Sequence, residues 1–157
     1  MEDLKAIIPF LGRTEDLGAW NGGHGIDWES FQCIMGQVEQ AAYWFNVLMP
    51  TFVEVNGMVL RRNLSSAHSV ESNANYAPLQ ASQVEYLINH FHISDLFSND
   101  PHQNEYDPAV YDYIAHMIAK GWRCQLHSLF PEKEFDVGIG EDGGELAVYA
   151  VTVRDST

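Results

Sequence analysis

Basic residues are scarce in this chain. Its 157 residues include 8 Lys and Arg against 22 Asp and Glu, for a formal charge of -14. Between Arg13 and Lys120 the only bases are Arg61 and Arg62, whereas acids recur throughout that interval, from Glu15 to Asp112. A protein that grips nucleic acid or an anionic membrane directly needs the opposite sign, so both classes are excluded. Cysteine is nearly absent too: Cys33 and Cys124 stand far apart, with neither C-x-x-C nor zinc-ligand spacing. Long apolar runs are missing, and nothing in the sequence has the length that spans a bilayer. The first residues carry Glu2 and Asp3 where a secretory signal carries positive charge. These absences point to a reducing cytoplasm, with both thiols expected as small buried hydrophobes.

The sequence is otherwise built to collapse. Hydrophobic residues make up 46% of it, including four Trp, seven Tyr and eight Phe, which is too apolar for a disordered chain. The length suits one domain over 1–157, large enough to fold on hydrophobic burial without a covalent staple.

Local patterns divide that domain. Met1 to Leu11 reads as a short helix, and the glycine-rich 12–26 as a loop. Asp27 then caps a long core helix in which Trp28, Phe31, Met35, Val38, Ala42, Phe45 and Met49 recur at three- and four-residue steps. After Pro50, Asn56-Gly57 joins two short strands into a hairpin, with one face directed inward. Residues 63–78 read as a loop. Ser82 and Glu85 form a capping box for a helix presenting Val84, Leu87, Ile88 and Phe91, ending near His92. Pro108 suits a first helical position, and the helix after it carries an apolar stripe to Leu129, with Gly121 a point where it bends or splits. Phe135–Ile139 and Leu146–Val153 form a second hairpin on an Asp142-Gly143 turn, with Ile139 opposite Leu146 and Val137 opposite Val148. The predicted fold is α+β: an antiparallel sheet of two hairpins packed against about four helices.

Chemistry is thinly marked. His90, His92 and Asp95 bring two imidazoles and a carboxylate within six residues, a ligand set for zinc or iron. On a helix, however, His90 and His92 point about 200° apart, so both reach one ion only if the segment is extended. Asn21 to Gly25 lacks the spacing of a dinucleotide or phosphate loop, and no nucleophile elbow is present. Glu141 and Asp142 fall at an exposed hairpin tip, where an ordinary carboxylic acid is a poor proton donor at neutral pH. No catalytic residue and no cofactor are assigned.

The distinctive stretch is 95–113, where Asp95, Asp100, Glu105, Asp107 and Asp112 are interleaved with Tyr106, Tyr111 and Tyr113 without one Lys or Arg. Carboxylates speed the encounter with a basic partner, and aromatic anchors hold it. The expectation is a small acidic binding or inhibitor protein, with toxin-neutralising immunity proteins and nucleic-acid mimics as functional models, acting on a basic protein partner. The alternatives are a metal-dependent enzyme using the His/Asp cluster and a scaffold or oligomer subunit without chemistry of its own.

Overall fold

The computed structural model describes residues 36–62, 76, 78–105 and 107–154. The expected helix over 1–11, the loops over 12–26 and 63–75, the first part of the long helix, Cys33 and Tyr106 lie outside the described residues. Within them the chain is α+β with antiparallel sheets. Helix α1 (Val38–Leu48) is followed by strands β1 (Phe52–Val55) and β2 (Met58–Arg61), then α2 (Ala81–Asn89) and the two-residue β3 (Phe91–His92). Short 3₁₀ turns at Ser94–Phe97 and Gln103–Glu105 lead to the long α3 (Pro108–Leu129), and β4 (Phe135–Asp142) and β5 (Glu145–Thr152) follow.

The Asn56-Gly57 turn forms as expected. Both residues take positive φ, 52° and 76°, and Val55 pairs with Met58 across it. The hairpin departs from expectation in burying both of its faces. Phe52 and Val59 enter the main core, while Leu60 joins Val84 and Ile88 of α2 in a second, smaller cluster. Nor, among the described residues, do the two hairpins share a sheet: β1 and β2 form a two-stranded sheet, and the other sheet runs β3-β5-β4.

Two buried side chains of α2 join the sheets. Val59 N–H donates to Glu85 Oε1 at 2.7 Å, and Thr152 N–H to Glu85 Oε2 at 2.9 Å. Asn89 Nδ2 donates to the carbonyls of Val59 (2.8 Å) and Ala150 (2.9 Å), and Asn89 Oδ1 accepts from Arg61 N–H. Polar groups on β2 and β5, strands that do not pair directly, are thus satisfied by a helix lying beside both. Glu85 is therefore no capping residue. The cap of α2 sits earlier, with Gln80 and Gln83 bonded reciprocally.

Helix α3 buries Ala115, Ile118, Ala119, Trp122 and Leu126, a three- and four-residue spacing, against the β3-β5-β4 sheet. It begins as expected with Pro108 in its first turn, and Asp107 caps it, its Oδ1 accepting from Ala109 N–H at 2.9 Å. Trp122 centres the core, edge-on to Phe52, stacked with Phe91 and covered by the Arg61 guanidinium. Gly121 does not split the helix; it admits the Leu48 carbonyl, which holds α1 against α3. Helix α1 is no core helix in its described part. It has no buried residue; Val47 and Leu48 pack on the core, and the Trp44 ring meets Phe97 at its margin. Cys124 is likewise exposed rather than buried.

The second hairpin turns one residue later than expected. Gly143 and Gly144 take positive φ, so Asp142 pairs with Glu145, Ile139 with Val148 and Val137 with Ala150. The partners shift by two positions, which preserves the face each side chain occupies.

Candidate functional site

Of the residues in the 95–113 stretch, Asp95, Glu105, Asp107 and Asp112 are exposed, while Asp100 is half-buried. Tyr111 and Tyr113 are half-buried, and the Tyr111 hydroxyl donates to the Gln103 carbonyl while its ring packs edge-on against Phe97. Burial, then the charge of Asp100, raises the Tyr111 pKa. Tyr111 thus fastens the start of α3 to the turn before it.

That fastening builds a cleft of about 460 Å³ between the start of α3 and the tip of the β4-β5 hairpin. Ile93, Tyr111 and Leu146 supply apolar wall, and Asp112, Glu141 and Glu145 line it with carboxylates. Tyr111 and Asp112 belong to the acidic stretch, whereas Glu141 and Glu145 come from the hairpin through the fold. The bases whose contacts are seen point elsewhere: Arg61 to the Phe91 and Trp122 rings, Lys133 to Glu54, Arg154 to Glu85, and Arg123 to the Val137 carbonyl.

A second group lies close by. Helix α2 ends at Asn89, and His90 takes an extended conformation (φ -95°, ψ 142°) leading into β3. His90 and His92 are therefore two residues apart on extended chain rather than on a helix, which brings them to one side. His92 lies opposite Ala147 of β5, which in turn pairs with Gly140 of β4. The face carrying His92 thus carries Glu145 and Asp142 two residues further along those strands. His90 Nε2 lies 3.3 Å and His92 Nε2 3.6 Å from the same Asp142 Oδ2. His92 Nδ1 lies 3.0 Å from Glu145 Oε2, which also accepts from the Ser94 hydroxyl. Asp95 is not part of this group, and Asp142 takes the place expected for it. Burial, then the neighbouring His92, lowers the His90 pKa against the opposing pull of Asp142. Tyr86 of α2 stacks on the His90 ring, 5.3 Å between centroids.

No protein family, curated protein or solved structure matches this chain. Among the described residues no helix is long and apolar enough to cross a membrane.

Proposed function

We propose that the chain is a small acidic binding protein that captures a basic side chain of a protein partner in the cleft between α3 and the β4-β5 tip. The observation that carries this reading is the convergence of Asp112, Glu141 and Glu145 on a cleft with apolar walls at Ile93, Tyr111 and Leu146. Lysine and arginine are amphipathic in the matching sense, with an aliphatic stem for the walls and a cation for the carboxylates. The remaining acids of the 95–112 stretch and the net charge of -14 steer a basic partner towards that receptor. Such a protein acts by occlusion, the mode of an inhibitor or of a mimic that occupies a basic cleft. It requires no cofactor.

The test compares the wild-type chain with Asp112→Lys/Glu141→Lys as baits in host extract. A partner retained by the wild type at low salt, lost by the reversed variant and shown to be basic supports the reading. Equal retention by both overturns it.

A further inference from the structure

We propose that His90, His92 and Asp142 form a binding site for a single divalent transition ion of the zinc class, with Glu145, which also lines the cleft, as the outer carboxylate that orients His92. One donor atom from each of the three side chains lies within 4.8 Å of the other two. Around a tetrahedral ion with bonds of about 2.0–2.1 Å, donor atoms stand roughly 3.3 Å apart. The separations from Asp142 Oδ2 to the two Nε2 atoms, 3.3 and 3.6 Å, are close to that geometry.

Hydrogen bonding among these groups leaves the arrangement incomplete. Both Nε2 atoms are buried, and neither has a hydrogen-bond partner despite the nearby carboxylate. In the tautomer that carries its proton on Nδ1, where Glu145 lies 3.0 Å away, His92 directs the Nε2 lone pair at an oxygen that is itself rich in lone pairs. A cation between them turns that repulsion into two bonds. Imidazole held through its far nitrogen by a carboxylate is the arrangement that fixes the tautomer and strengthens the donor at metal sites. Two neutral nitrogens and one carboxylate oxygen suit zinc and its borderline neighbours better than calcium or magnesium, which take oxygen ligands. Three protein donors leave one position of a tetrahedral ion to water or an external ligand.

The full-length protein, stripped with chelator and returned to metal-free buffer, is titrated with Zn²⁺ by calorimetry and with Co²⁺ by visible absorption. The expected result is one equivalent bound, with the absorption of a tetrahedral cobalt centre. Asp142→Asn, on an exposed turn-flanking residue, should weaken binding by tenfold or more while the far-UV spectrum and melting temperature stay close to wild type. Glu145→Gln should lose roughly 10- to 100-fold in affinity, the usual scale for an outer carboxylate. Glu105→Gln, which removes a carboxylate outside the group, should change nothing. Binding below one equivalent overturns the proposal. So does binding that Asp142→Asn leaves intact or that Glu105→Gln weakens equally, since either marks diffuse attraction to an acidic surface.

Discussion

Arg154 closes on Glu85 with two parallel hydrogen bonds, Nη1 to Oε2 and Nη2 to Oε1, each 2.8 Å, on a carboxylate with no solvent exposure. The same carboxylate accepts from the backbone of β2 and β5 and from the Thr152 hydroxyl at 2.8 Å. One side chain thus ties a helix, two sheets and the end of the described chain together, and every donor around it requires an acceptor.

Glu85→Gln places an amide NH₂ among those donors and removes the charge facing Arg154. Breaking a buried pair costs about 3–5 kcal/mol, and the partial exposure of Arg154 argues for the lower end. Urea unfolding should therefore show a loss of about 3 kcal/mol. A loss below about 1 kcal/mol would mean that these contacts do not hold the fold.

Acid should act through the same residue. Burial pushes the Glu85 pKa up, but Arg154, the backbone donors of Val59 and Thr152 and the Thr152 hydroxyl outweigh it, so the folded pKa lies below the ordinary glutamate value. A depressed carboxylate pKa contributes stability that is present above the unfolded value, about 4.3, and is lost as pH falls through the folded one. The stability gap between wild type and Glu85→Gln should accordingly be constant near neutrality and shrink below about pH 4. A gap unchanged at pH 3 would contradict the assignment.

Gly121 makes a third test. A Cβ there would stand 2.2 Å from the Leu48 carbonyl oxygen, and the Trp122 indole donates to the neighbouring Val47 carbonyl at 2.8 Å. Gly121→Ala ought to raise helix propensity in isolation, yet here it should destabilise by about 1–3 kcal/mol and loosen α1. Hydrogen exchange over 38–48 should rise first. A stabilised variant would show that α1 does not rest on this contact.

Local chemistry was legible in the sequence; long-range pairing was not. Asn56-Gly57 and Pro108 carry their conformations in their own residues, so the first hairpin and the start of α3 could be read directly. The second hairpin contains two adjacent turn signals. Gly143-Gly144 prevails because it supplies both positive-φ positions without a side chain, and that choice makes Asp142 a paired residue opposite Glu145. Its approach to the histidines was therefore hidden. The apolar spacing through Phe91 suggested a helix past His90, but Asn89 is held by the Val59 and Ala150 carbonyls, 30 and 61 residues away, and the chain leaves it extended. Glu85 looked like a capping acid for the same reason: its partners lie far along the chain.

The central claim is that the cleft of Asp112, Glu141 and Glu145 receives a cationic side chain, and NMR of the isotope-labelled protein titrated with a short arginine-bearing peptide tests it most directly. The account predicts saturable shifts centred on Ile93, Tyr111, Asp112, Glu141 and Leu146, weakened as salt screens charges beyond about 8 Å and abolished by Asp112→Lys/Glu141→Lys. Shifts spread evenly over the acidic surface, or shifts at the cleft that survive the double reversal, would contradict it.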